Sequence, residues 1–99
     1  MARDKTLLGG AGLTTFLAAH PKWENTGTAL RRAFEFPKFL DGIEWVGRIA
    51  RIAEELDHHP DIDLRWRKVT LTLTTHDAGG LTQRDLELAT QIDAAPGGE

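Results

Sequence analysis

The spacing of hydrophobic positions changes repeatedly along this chain, and each change predicts an element. From Pro37, a natural first-turn residue, to Asp57 the apolar residues recur at helical spacing in two rows: Phe39, Ile43, Val46, Ala50 and Ala53, then Trp45, Ile49, Ile52 and Leu56. Together the rows cover about half of a helical wheel, wider than the ~100° stripe that docks a helix on one sheet. One row is therefore expected to pack on the chain's own sheet and the other on another subunit. Asp41, Glu44, Arg48, Arg51 and Glu55 fill the remaining arc as a solvated face, with Glu44 and Arg48 spaced to pair.

After Pro60 the period falls to two. With Arg67-Lys68 as a tight turn, Ile62, Leu64 and Trp66 face Leu73, Leu71 and Val69, so the apolar residues of both strands share one side. Asp63, Arg65, Thr70, Thr72 and Thr74 line the other side, which ends at His76. Upstream, Leu13 to Ala19 reads as a short helix with Leu13, Phe16 and Leu17 on one side, stopped by His20-Pro21. Lys22 to Asn25, a Thr26-Gly27-Thr28 turn and Ala29 to Phe36 read as a first hairpin, with Leu30, Phe34 and Phe36 on one face. The last helix starts after the Asp77-Ala78-Gly79-Gly80 loop, with Thr82 as N-cap, Asp85 as its acidic N3 partner, a Leu81 to Leu86 staple, and Ala89 and Ile92 on the buried face. Residues 1–12 and 94–99 read as loose termini. The order helix, strand, strand, helix, strand, strand, helix predicts a single α+β domain over 1–99: a four-stranded antiparallel sheet with three helices on one face.

Composition narrows what such a domain does. At 99 residues and 40% hydrophobic content, a chain buries only roughly 60–65% of its unfolded surface, so self-association helps to stabilise it. A net charge of −3 without a basic stripe argues against nucleic acid as a partner. The lack of cysteine removes disulfides, thiolate nucleophiles and zinc-thiolate sites, which fits a cytoplasmic protein. Arg3 and Lys5 precede the weakly apolar stretch Leu7 to Ala19 as in a secretory signal, but Asp4, Gly9, Gly10, Gly12 and Thr14-Thr15 make it a poor one. No apolar run approaches the ~18 residues a membrane span requires, so no membrane partner is expected.

The candidate chemistry lies in histidine. Asp57-His58-His59-Pro60 closes the long helix, and the second hairpin brings His76 back toward that doublet. His is the side chain whose ordinary pKa of about 6.5 lets it give and take protons near neutrality, so three imidazoles on one cleft read as a small acid/base enzyme. Each residue also has a plainer account. A doublet before Pro is a favourable helix terminus, His76 ends a strand, Glu54 borders the solvated arc, and an N3 aspartate such as Asp85 stabilises a helix by itself. Trp45 and Trp66 read first as packing residues, and His20 as a loop residue. A metal held by three histidines is disfavoured, because adjacent side chains cannot easily point at one ion and the i, i+4 His pair of helical zinc sites is absent.

The series Glu54, His58-His59-Pro60, Trp66, His76 and Asp85 closely resembles the signature of the pterin-4a-carbinolamine dehydratases. The resemblance is strong from Ala53 to Ile92 and weaker over Trp23 and Phe34-x-Phe36-x-x-Phe39 back to Leu13. Mild departures are Lys22 where a Gly commonly precedes the tryptophan, Arg67 at a usual turn residue, and Gly79-Gly80 in place of Ala-Gly. The resemblance implies four antiparallel strands flanked by three helices, and loss of water from 4a-hydroxytetrahydropterin to give quinonoid dihydropterin without metal or organic cofactor. It also implies a homodimer or homotetramer. His58, His59 and His76 inherit the catalytic assignment. Glu54, one turn before His58, is expected to orient that ring, and Asp85 a second imidazole. Trp23 and Pro60 are the expected substrate-binding residues, Trp23 as a flat wall for the pterin. Some members also serve as dimerisation cofactors of a transcription factor and degenerate relatives assist carboxylase assembly, so a non-catalytic binding or assembly module is the rival reading.

Overall fold

A turn residue with positive φ fixes the second hairpin. We describe residues 6–98 in a computed structural model; Arg3, Asp4 and Lys5, which decide whether the first stretch resembles a secretory signal, lie outside the described residues. Strands β3 (Asp61–Arg65) and β4 (Lys68–Leu73) pair antiparallel with Arg65 opposite Lys68, Leu64 opposite Val69 and Ile62 opposite Leu71. The turn is therefore Trp66-Arg67, with Trp66 at φ 53°, and not the expected Arg67-Lys68. The register moves by two residues, and since side chains alternate with a period of two, every inward residue stays inward. Trp66 alone changes surroundings: it stands 77% exposed at the hairpin tip.

Strands β1 (Glu24–Asn25) and β2 (Leu30–Glu35) form the first hairpin. Asn25 Oδ1 accepts from the Gly27 N–H at 2.9 Å, and Gly27 takes φ 110°, a conformation that strains any residue with a Cβ. The sheet order is β1-β2-β4-β3, all antiparallel. Leu30 and Phe34 of β2 and Val69, Leu71 and Leu73 of β4 point to one face, where helices α1 (Gly10–Ala19), α2 (Phe39–Leu56) and α3 (Gln83–Ala94) cover them. Phe16 of α1, Trp45 and Ile49 of α2, and Leu86, Leu88, Ala89 and Ile92 of α3 complete that core. The architecture is the α+β domain expected from the periodicity. No helix among the described residues is long and apolar enough to cross a membrane.

The described residues toward each end are more ordered than composition suggests. In the stretch expected to be a loose arm, Leu7 bridges Thr82, the Leu8 N–H donates to Leu81 O at 2.9 Å, and α1 already begins at Gly10. Tertiary anchoring outweighs the low helix propensity of Gly10 and Gly12. At the other end, Gly97 turns the chain at φ 100° and Gly98 lies on the Trp45 indole, so close that a Cβ there would stand 2.7 Å from Cζ2. Arg48 donates to Pro96 O at 3.3 Å, which replaces the anticipated pair with Glu44. On α2, Phe39, Leu40 and Ile43 remain exposed, as does Ile62 on the edge strand β3.

Candidate active site

Helix α2 ends in a left-handed residue, and that one residue aims the doublet. Asp57 has φ 50° and ψ 44°, while the His58 N–H reaches back to Ala53 O at 3.1 Å, a Schellman-type stop. Pro60 then denies helical geometry to His59 and sends the chain into β3. Because Asp57 reverses the chain, the helical step of 100° per residue no longer relates Glu54 to His58. Glu54 meets His59 instead, with Oε2 2.5 Å from Nε2, in a pair exposed on both sides. The expected i, i+4 support of His58 by Glu54 is thereby corrected.

His58 is held by Asp85. Its Nε2 lies 2.6 Å from Asp85 Oδ1, the ring is buried, and the carboxylate has no exposed surface. Asp85 Oδ2 accepts from the Thr82 N–H and from the Thr75 hydroxyl, each at 2.9 Å. Thr75 spends its single proton there, so at the 2.8 Å contact between the two hydroxyls Thr82 donates to Thr75. Thr82 Oγ1 in turn accepts from the Arg84 N–H at 3.2 Å. The capping box and the imidazole support are thus one structure: the N3 acid that starts α3 also grips the ring that follows α2. An ionised Asp85 keeps the proton of a neutral His58 on Nε2 and leaves Nδ1 as the accepting nitrogen. Among the described residues that Nδ1 has no hydrogen-bond partner, and the residue lines a cavity.

His76 does not end a strand. β4 stops at Leu73, Thr75 bridges Gly80, and His76 opens a short 3₁₀ turn over His76–Ala78, exposed and with no side-chain hydrogen bond among the described residues. The pairing of Asp61 with Thr72 sets the start of β3 beside the end of β4. A cavity of about 230 Å³ opens at that junction, lined by Asp57, His58, His59, Thr74, Thr75, His76, Asp77 and Arg84. The three imidazoles singled out in the sequence therefore share one cavity.

Trp23 and Pro60 do not line it. Trp23 is a core residue: its indole N–H donates to Asp93 Oδ1 at 2.9 Å and its ring packs edge-on against Phe34. Asp93 lies eight residues along α3 from Asp85, about 12 Å at 1.5 Å per residue, which removes Trp23 from the histidines. A buried indole N–H gains from an acceptor, and for Trp23 Asp93 supplies it at the wrong end of the helix for a pterin wall. Trp66 stands at the far tip of the second hairpin. Arg84, Thr74, Thr75, Asp57 and Asp77 were not foreseen as site residues, and the signal for them was adjacency alone, since each stands next to or near a motif residue. Among the described residues no group of three His, Cys, Asp or Glu side chains is disposed to hold a metal ion.

Comparison with known proteins places this geometry in context. Residues 6–95 match the family described as Pterin 4 alpha carbinolamine dehydratase. A protein of Mycolicibacterium smegmatis, provisionally named a pterin-4-alpha-carbinolamine dehydratase, is 58% identical over 73 residues, which cover 74% of this chain and 78% of that one. The crystal structure of a transcriptional coactivator/pterin dehydratase from Brucella melitensis superposes with a TM-score of 0.83 at 31% identity, over 90% of this chain and 97% of that one. A pterin dehydratase-like protein described as a RuBisCO assembly factor in the alpha-carboxysome superposes with a TM-score of 0.60 at 22% identity, over 73% of this chain and 83% of that one. At that identity it speaks for the fold alone.

Proposed function

The chain belongs to the pterin 4 alpha carbinolamine dehydratase family, and from that premise we propose that it removes water from 4a-hydroxytetrahydropterin to give quinonoid dihydropterin, in recycling of a tetrahydrobiopterin-type cofactor. The observation that carries the reading is the convergence of His58, His59 and His76 on one cavity, with one ring set by a buried carboxylate. The hydroxyl on C4a is a poor leaving group until an acid protonates it. As the C4a–O bond breaks and water departs, the N5 proton passes to a base and the C4a=N5 double bond forms. Imidazolium and imidazole supply the acid and the base at neutral pH, and the step calls for neither metal nor organic cofactor.

His58 is the principal acid/base on the hydroxyl in this proposal, with Asp85 as its support. His59, backed by Glu54, and His76 hold and polarise the pterin. A homodimer or homotetramer forms part of the proposal, supported by the exposed apolar Phe39, Leu40 and Ile43 of α2 and Ile62 of the edge strand, and so does a cytoplasmic location. The rival is a non-catalytic assembly module on the same fold, a fold shared with the protein described as a RuBisCO assembly factor. The retained set of His58, His59, His76 and Asp85 favours the enzyme.

Stopped-flow loss of 4a-hydroxypterin absorbance decides between them. The expected result is a protein-dependent rate well above the spontaneous one. Folded protein that leaves the spontaneous rate unchanged rejects the dehydratase and leaves the assembly module. Full turnover by His58→Ala rejects the allocation of His58, and three active single histidine variants reject the site.

A further inference from the structure

Two consecutive residues of α3 grip two consecutive residues at the end of α2. Asp85 takes the ring of His58, and Arg84 Nη2 donates to the carbonyl oxygen of Asp57 at 2.9 Å. Arg84 is half-buried, lines the histidine cavity, and has no carboxylate within ion-pair distance among the described residues. Its Nε is sealed from solvent without a partner. Arg32 Nε and Trp45 Nε1 are unpaired in the same way, so what distinguishes this guanidinium is the Nη2 bond to Asp57 at the edge of the cavity. The carbonyl it holds belongs to the left-handed Asp57, a conformation that glycine, asparagine and aspartate adopt and other residues avoid. The peptide plane between Asp57 and His58 is the last backbone joint before the doublet.

We infer that Arg84 is a positioning residue: it clamps the Asp57 carbonyl so that, together with the Asp85 bond, the His58 imidazole is fixed at two points relative to the cavity. The inference rests on the dehydratase reading for its kinetic consequence but not for its geometry. Asp85 alone leaves the ring free to swing about the Nε2 contact while the backbone behind it shifts. A misplacement of about 1 Å at a reacting group costs on the order of 100-fold in rate.

The test compares wild type, Arg84→Ala and Arg84→Lys in the full chain, by steady-state dehydration, thermal unfolding and the NMR resonances of the His58 ring. In Arg84→Ala, kcat is expected to fall about 10- to 100-fold with KM within about threefold and a displaced His58 resonance. Millimolar guanidinium is expected to restore part of kcat, because a free guanidinium ion can reoccupy the vacated position. Arg84→Lys keeps the charge without the planar fork and is expected to fall between the two. If Arg84→Ala does not fold, the lysine variant carries the same readouts. Turnover within about twofold of wild type with an unmoved resonance overturns the inference. A loss of kcat that merely follows the unfolded fraction, with no response to guanidinium, overturns it too. If wild type does not accelerate dehydration, the dehydratase reading fails by itself, and the clamp then stands or falls on whether the His58 resonance moves.

Discussion

Helix α3 carries a histidine-bound carboxylate near each end, and the two ends behave differently. Near the first turn, Asp85 holds His58 beside an open cavity. Near the last turn, Asp93 accepts from His20 Nδ1 at 2.7 Å, Trp23 Nε1 at 2.9 Å and Arg32 Nη1 at 2.5 Å. There His20 stacks on Phe16 with ring centroids 4.5 Å apart, and Arg32 lies over the Phe34 ring and reaches Gly98 O. Both clusters pair an imidazole with a carboxylate. At Asp93 every donor comes from a packed structural element, and the imidazole closes a joint between α1, β2 and the C-terminal segment. At Asp85 the bound ring borders the cavity it shares with His59 and His76, whereas His20 does not line that cavity. A histidine-carboxylate pair is therefore not in itself a site; what stands on the far side of the ring decides.

Removal of either carboxylate sharpens that contrast. Asp85→Ala carries the largest expected effect: turnover falls about 10²- to 10⁴-fold, and urea unfolding shows a loss of about 3 kcal/mol, because Thr75, the Thr82 N–H and His58 lose their acceptor inside the protein. Unchanged stability would break the claim that cap and imidazole support are one joint. Asp93→Asn, by contrast, is expected to lose about 2 kcal/mol in the same unfolding measurement while kcat stays within about twofold, since the joint it weakens lies far from the cavity.

The two imidazoles divide in the same way. His20→Ala is expected to cost about 1 kcal/mol with dehydration intact, whereas His58→Ala loses turnover. If His20→Ala lost activity at full stability, the two ends of α3 would no longer be distinct. Smaller still is Glu54→Gln. Its partner His59 and the carboxylate are both exposed, the side chains at 54% and 75%, so the pair is screened by solvent and kcat is expected to stay within about threefold. Gly98→Val displaces the C-terminal segment from Trp45 and should redden tryptophan emission with less than about 1 kcal/mol of lost stability, as expected for a site away from catalysis. Unshifted emission would show that the glycine contact is dispensable.

How far the sequence reached differs by region. The α2 pattern was legible because buried Trp45, Ile49 and Ala53 repeat at helical spacing. The N-cap at Thr82 was legible because a capping box is a local code. The second hairpin was legible in its faces but not in its register: a shift of two residues leaves every side chain on its own side, so periodicity cannot detect it. At the site, the doublet, His76 and Asp85 were visible as residue types at fixed separations, while their partners were not. Glu54 was assigned to His58 on helical geometry, and the left-handed Asp57 reversed the assignment. Trp23 resembled a substrate wall until its indole proved to be occupied by Asp93.

Sequence alone thus determined the order of elements, the inward faces and the set of imidazoles, because these depend on contacts between near neighbours or on residue identity. Tertiary structure decided which acid serves which ring, that Arg84 meets Asp57, that Trp23 belongs to the core, and that Leu7, Leu8 and Gly98 pack against the domain. Those depend on pairings between residues far apart in the chain, where a single backbone reversal at Asp57 or Trp66 changes which side chains meet, and no local period records such a reversal.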